Sequence, residues 1–342
     1  MPFINVSTST GTTKFHYTIS TPSCDDAQMI EPELPVLLFF HAFAFHTVFH
    51  SQFSDPLLRK FNLVTFDLRY HGDTESDTVP ERYGQEEAAE DAIAFINALQ
   101  LPPSHFIALD LGSIIALQVA VMFPAQVLSL FIMSHVCLEE LPEVQEGRTE
   151  LYDLWTSGSP DAKADVAIGY TQYTFSNNVS NLAKALCDST LPVDLRNWSA
   201  EHLQEYQLIS YNIFCNRKSQ PKTVLSRIHC PVKLLHGGDS VVYKSSYTEE
   251  FMKSLRNAGV DASMETIPNA PHYLCVDYGN EVNRMIHDLV DHCTPERSIS
   301  PTTSPVDVRS PWDEILRQYG WEPERKNQLD DDDITVSFPT RN

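Results

Sequence analysis

The chain is short of positive charge. It carries 24 Lys and Arg against 46 Asp and Glu, a formal net charge of −22 over 342 residues. Non-specific binding to nucleic acid or to an anionic membrane needs basic patches, so neither is expected as a partner. Part of the excess lies near the C-terminus, where Asp330 to Asp333 read as a solvated tail. Paired cysteines are also missing. Cys24, Cys137, Cys187, Cys215, Cys230, Cys275 and Cys293 are scattered, odd in number and form no CxxC. That pattern fits reduced thiols and argues against a disulfide framework or a zinc site. The segment Met1-Pro-Phe-Ile-Asn-Val-Ser-Thr lacks the charged and apolar regions of a signal peptide. No apolar run approaches the length needed to span a bilayer, and there is no internal repeat. A cytoplasmic protein acting on a small molecule is the expectation. His41, His46 and His50 lie close together, yet no carboxylate or cysteine sits at ligand spacing beside them. Neither a metal nor a cofactor is expected.

What is present is a large apolar fraction, 42%, enough for one core with an insertion. Short apolar runs alternate with helical patterns, which predicts βαβ units and a mostly parallel sheet. Strands are read over Pro35–Phe40, Asn62–Phe66, His105–Leu109, Val127–Met133 and Val232–His236. Between them, Gln85 to Leu99 places Ala89, Ala92, Ile93 and Ile96 on one helical face. Val282, Met285, Ile286 and Leu289 form a similar stripe near the end. From Glu140 to Ser226 the strand signal stops and an aromatic, helical stretch takes over. The expected organisation is a core over 1–139 and 227–293 with a helical cap over 140–226. A Ser/Pro linker and acidic tail follow over 294–342, with a short helix at Trp312–Tyr319.

The most telling window runs from Phe106 to Pro124: an apolar strand, a tight turn at Asp110, then a helix that is apolar nearly all round. Ala108 and Gly112 flank Asp110 two places either side. Small residues there suit a crowded strand-to-helix turn that holds a reactive side chain up for attack. The side chain presented is a carboxylate where such turns usually carry a hydroxyl.

Four windows in order resemble the α/β-hydrolase superfamily, and they cover roughly residues 13 to 292. His41-Ala42-Phe43-Ala44 stands where the family builds half of its oxyanion hole. Phe66-Asp-Leu-Arg-Tyr-His-Gly-Asp-Thr-Glu75 is similar to its Asp-x-Arg-Gly-His-Gly-x-Ser turn, with Tyr70 in place of a glycine. The Asp110 turn matches the nucleophile elbow, and Ile267-Pro-Asn-Ala-Pro-His272-Tyr-Leu matches the context of the catalytic histidine. The resemblance is to fungal members in particular, which implies secondary metabolism.

It further implies the chain order nucleophile, acid, histidine. The acid is usually about four residues beyond the strand-end histidine, His236; that position is Ser240, with Asp239 just before it. Asp110, Asp239 and His272 are therefore the expected catalytic residues, with backbone N–H groups of Ala42 or Phe43 and of Leu111 as the oxyanion hole. His41 is expected beside the substrate or supporting the oxyanion loop. Trp155, Tyr170, Tyr173, Tyr206 and Tyr211 are the candidate cap residues lining an apolar pocket, two of the tyrosines acting as proton donors. A carboxylate nucleophile attacks sp³ carbon, so epoxide opening ranks above dehalogenation, for which a halide-binding Trp is missing at Leu111. Two other readings stay open. One uses Asp110, its pKa raised by burial, and His272 as acid and base in a lyase or cyclase. The other is a small-molecule binding protein without turnover.

Overall fold

The two alternating runs at the start of the chain pair with each other. In the computed structural model, which describes residues 2–176, 179–294 and 308–323, β1 (Phe3–Thr8) and β2 (Gly11–Ser20) form an antiparallel hairpin. Beyond it lie β3 (Val36–Phe40), β4 (Asn62–Phe66), the two-residue β5 (Glu75–Ser76), β6 (Ser104–Leu109), β7 (Val127–Met133), β8 (Val232–Gly237) and β9 (Ala262–Ile267). The order across the sheet is β1-β2-β4-β3-β6-β7-β8-β9, with β5 beside β2. From β4 to β9 every pairing is parallel. Each residue of β3, β4 and β6 is buried, because helices cover both faces and leave no solvent side for polar alternation.

The helices of the core are α1 (Gln85–Ala98) and α2 (Leu111–Met122). Every residue of α2 up to Val121 is buried, as its all-round apolar character predicts. Between β7 and β8 the chain turns helical: α3 (Pro142–Thr156), α4 (Pro160–Phe175) and α5 (Asn181–Asn197). Proline opens α3 and α4, where its missing N–H costs nothing, and Ser159 and Ser180 cap α4 and α5. Past β8 come α6 (Ser245–Asn257) and α7 (Gly279–Cys293). The last described segment forms α8 (Asp313–Gln318), which packs against α5. Trp312 is buried against Phe53 with ring centroids 4.9 Å apart, and Arg59 Nη1 donates to the Arg309 carbonyl over 3.1 Å. The C-terminal segment thus docks on the core and the inserted helices together.

The five strands read from the sequence are β3, β4, β6, β7 and β8, each within a residue of its observed ends. The β1–β2 hairpin, β9 and α6 add to those elements. β9 is an edge strand whose middle residues are half or fully exposed, so it carries no apolar run to find. Most of the expected Ser/Pro linker and the Asp330–Asp333 run lie outside the described residues.

Strand order also decides where a site can form. From β3 the chain crosses to β4 on one side, and β6 lies on the other. The order therefore reverses between β3 and β6, which leaves a crevice beyond their C-terminal ends. Asp110 follows β6 and Phe43 follows β3.

Candidate active site

Asp110 sits at φ 48°, ψ −113°, a conformation that costs a non-glycine residue about 1–3 kcal/mol. The turn is held by its surroundings. A side chain at Gly112 would place its Cβ 2.1 Å from the Phe40 carbonyl oxygen, so only glycine lets α2 start this close to β3. Ser113 Oγ donates to the Asp110 carbonyl at 2.6 Å and accepts from Val136 N–H at 3.2 Å, so this hydroxyl braces the turn.

The two oxygens of Asp110 are treated differently. Oδ2 accepts from the Phe43 N–H at 3.4 Å and from the Tyr273 hydroxyl at 3.1 Å. Oδ1 has no hydrogen-bond partner and faces His272 Nε2 at 3.6 Å, an ion-pair distance longer than a hydrogen bond. Both side chains are 2% exposed. Burial opposes ionisation of Asp110, but His272, Arg148 and the Leu111 N–H outweigh it and hold the carboxyl below the ordinary aspartate range. The expected upward shift is therefore corrected: desolvation is present and is overcome by neighbouring donors and positive charge.

His272 is fixed through its backbone. Its carbonyl accepts from Ser134 Oγ, and the next N–H, that of Tyr273, donates to the Thr174 carbonyl of the inserted helices at 2.9 Å. At Nδ1 the neighbour is Ser240 Oγ, 3.3 Å away. Asp239, the expected acid, is exposed. Its N–H donates to the Ala270 carbonyl and its own carbonyl accepts from Ser176 Oγ, both at 2.9 Å. These bonds set the loop so that the residue four beyond His236 is the one that reaches the imidazole. That residue is a serine.

His41 is not placed to bind substrate. It is fully buried; its Nδ1 donates to the Ala42 carbonyl at 2.6 Å and its Nε2 accepts from the Leu68 N–H at 2.9 Å. Burial lowers its pKa to about 4, so the ring is neutral and shapes the oxyanion loop. Of the two candidate N–H groups on that loop, Phe43 is the one that reaches Asp110. Asp67 and Arg69 hold their own turn, the first by His16 Nδ1 at 2.7 Å and the second by a two-bond pair with Asp91 at 2.8 Å.

The inserted helices close over this site. Tyr173 stands edge-on to His272 with centroids 5.2 Å apart, and its hydroxyl accepts from Arg148 Nη2 at 2.8 Å. Tyr170, one turn earlier, packs on Phe43 at 5.4 Å. Burial pushes both phenols well above their usual range, although Arg148 pulls the other way. Trp155, Tyr170 and Tyr206 line a cavity together with Phe43, Phe45 and Trp198. Tyr211 lies apart from it, hydrogen-bonded to Thr149 at 3.0 Å and packed on Tyr152.

Several residues of the site had no signal in the sequence. Arg148 is buried and donates through Nε to Glu140 Oε2 at 2.9 Å, while Arg217 contacts both Glu140 oxygens at 2.9 and 3.0 Å. Tyr243 donates to the same carboxylate at 2.8 Å and leans on His272 with centroids 5.6 Å apart. Burial would raise the Glu140 pKa, but the two guanidiniums hold it below the ordinary value. Tyr273 follows directly on His272, and that adjacency was the one available hint.

Residues 35–277 match the alpha/beta hydrolase fold family, and the chain belongs to it. Solved structures agree on the fold. A putative aryl esterase from Burkholderia cenocepacia superposes with a TM-score of 0.68 at 16% identity, covering 86% of this chain and 100% of that one. The enol-lactonase from Burkholderia xenovorans LB400 gives 0.66 at 13% identity, covering 84% and 99%. A thermophilic esterase from Thermogutta terrifontis gives 0.65 at 15%, covering 86% and 99%. No curated protein matches the chain in sequence. Among the described residues no helix is long and apolar enough to cross a membrane.

Proposed function

We propose that the protein hydrolyses a small, largely apolar epoxide through an alkyl-enzyme ester at Asp110. The observation that carries this reading is the asymmetry of the carboxylate: Oδ2 is held by two donors while Oδ1 is bare and 3.6 Å from His272 Nε2. An ionised oxygen free of hydrogen bonds is the better nucleophile. Attack by Oδ1 on an epoxide carbon forms the C–O ester bond and breaks the ring C–O bond. Tyr173 supplies the proton the ring oxygen needs. Its hydroxyl oxygen accepts from Arg148, which leaves its own hydrogen free to donate. His272 then takes a proton from water, and the hydroxide attacks the Asp110 carboxyl carbon. Phe43 and Leu111 N–H groups steady the oxyanion. Collapse breaks the ester C–O bond; the proton left on the water-derived oxygen passes to the departing alkoxide, which completes the diol and restores the carboxylate, and the imidazolium's proton returns to Tyr173.

The esterase and lactonase activities of the structural neighbours fit this site less well. Attack by Asp110 on an ester carbonyl would give a mixed anhydride, higher in energy than the ester it came from. Attack at sp³ carbon gives an ester.

A second reading is favoured by Ser240. With a hydroxyl at His272 Nδ1 in place of a carboxylate, the imidazolium is less well stabilised. The Asp110–His272 pair would then shuttle a proton in a lyase or cyclase without being alkylated. A single turnover in heavy-oxygen water decides between them. Label in the peptide containing Asp110 is the result expected of the ester route; turnover of the same substrate with unlabelled Asp110 removes that route and leaves proton transfer.

A further inference from the structure

Asp110 and His272 are each 2% exposed beneath the inserted helices, so a substrate reaches them only when that cover moves. Among those helices, α5 is held very differently at its two ends. At its C-terminal end Arg196 Nη2 and Asn197 Nδ2 both donate to the Gly72 carbonyl, and Arg196 pairs with Asp73 at 2.9 Å. The next residue, Trp198, donates through Nε1 to the Tyr70 carbonyl at 2.9 Å and stacks on Phe43 with centroids 4.8 Å apart. At the N-terminal end the bond to the core is exposed: Ser180 Oγ donates to Asp277 Oδ1 at 2.6 Å. A crevice lies at this end, lined from α5 by Asn181 and Leu182, from the core by Val276 and Asp277, and from the C-terminal segment by Trp321. It is the C-terminal segment that supplies buried apolar contact here. α8 packs against α5, with Leu316 fully buried and Trp312 4% exposed. The same segment is tied to the core by Trp312 on Phe53, by the Arg309 carbonyl on Arg59, and by Trp321, which meets the His50 ring edge-on at 4.4 Å.

We infer that residues 309–322 form a strap that holds the first half of α5 down on the core and so keeps the cover in place over the site. With the strap lifted, α5 swings about its anchored end at Arg196 to Trp198. Thr190, Leu191 and Asp194 belong to the wall of the cavity that Phe43 also lines. The swing carries the Thr190 side of that wall away from Phe43 and leaves the Trp198–Phe43 stack in place. A six-residue helix has no stability of its own, so α8 persists only while its apolar side chains stay docked. Docking and cover are therefore coupled: whatever releases Trp312 and Leu316 also frees α5. The inference concerns access to the site and is independent of the chemistry at Asp110.

The test uses the chain's four tryptophans, two of which, Trp155 and Trp198, line the cavity. Trp312→Phe/Trp321→Phe keeps the strap's aromatic contacts and leaves only the cavity pair to fluoresce. Trp312→Ala/Leu316→Ala/Trp321→Ala leaves the same pair and removes the strap's large apolar side chains. In this triple variant, amides in the first half of α5 should exchange with deuterium roughly 10-fold faster than in the wild type, with those of α1 unchanged. Acrylamide quenching of the two remaining tryptophans should rise about threefold over the phenylalanine reference. Free exchange of α8 together with α5 exchange and quenching equal to the reference overturns the inference. If α1 exchange shows the triple variant to be unfolded, Leu316→Asp in the reference background is read in the same way, since a carboxylate at that buried position expels the helix. No turnover is measured, so failure of the strap and failure of the Asp110 route are separate results.

Discussion

The Tyr273 hydroxyl donates to Asp110 Oδ2 across 3.1 Å, one residue after the histidine that faces the other oxygen of the same carboxylate. Two consecutive side chains thus divide one carboxylate between them, the tyrosine fixing its orientation and the histidine attending its free oxygen. In the proposed ester intermediate Oδ2 would become the carbonyl oxygen, and the tyrosine would join Phe43 as a donor to the developing oxyanion. Tyr273→Phe should lower kcat by roughly 10- to 100-fold on an epoxide that the wild type turns over, with little change in KM. Equal kcat values in steady-state assays would show that the hydroxyl is only packing.

Ser240 stands where a carboxylate would support His272, so the ester should hydrolyse slowly and accumulate. Ser240→Asp is expected to speed that step about 10-fold or more. Intact-protein mass spectrometry after rapid quenching should show the ester adduct in the wild type and less of it in the variant. Faster turnover with no adduct in either protein would count against the two-step route.

Asp110 has a folded pKa below its unfolded value of about 3.8. Its ionisation therefore contributes stability that is fully present above that value and is lost as pH falls through the folded pKa. Comparison with Asp110→Asn isolates this contribution. The wild type should lose stability relative to the variant as pH drops below about 3.8, read as a narrowing or reversal of the difference in Tm between the two. A constant difference from pH 6 to pH 3 would mean that the carboxyl titrates normally.

Glu140 joins the start of the inserted helices to their end, by way of Arg148 and Arg217, and its side chain is 1% exposed. Glu140→Gln leaves two buried guanidiniums without their counter-charge, which should cost about 3–5 kcal/mol. Urea unfolding measures it. A loss under about 1 kcal/mol would show that the arginines find other partners or water.

Much of this was legible in the sequence, for reasons that can be named. The buried strands announce themselves because helices cover both faces of the sheet and exclude polar residues from β3, β4 and β6. The elbow is legible because Gly112 has a steric job that no other residue can do. Asp239 carries the carboxylate the triad order calls for, but loop hydrogen bonds set position and bring Ser240 to His272 instead. Arg217 lies far along the chain from Glu140 and Arg148, and the three carry no periodic pattern. Charges buried by tertiary packing look like solvated ones until the fold is known.

The backbone of the elbow owes little to the side chain it presents, since Gly112, Ser113 and the strand end set its shape. Asp110→Ser should therefore fold and show new activity toward a simple aryl acetate, at a rate detectably above the wild type. No gain in a chromogenic assay, with the variant shown folded by its Tm, would mean that Ser240 is too weak a partner for His272.

The Phe43 N–H that meets Asp110 Oδ2 also bears on which molecules the enzyme turns away. With a serine at the elbow, that donor stands vacant until a substrate carbonyl arrives. Here the enzyme's own carboxylate already sits in the berth, so an ester would have to evict a resident anion before it could be activated. On the proposed route, selectivity against carbonyl substrates would be enforced by occupancy as well as by the missing hydroxyl. Shortening the side chain to serine lifts both barriers at once.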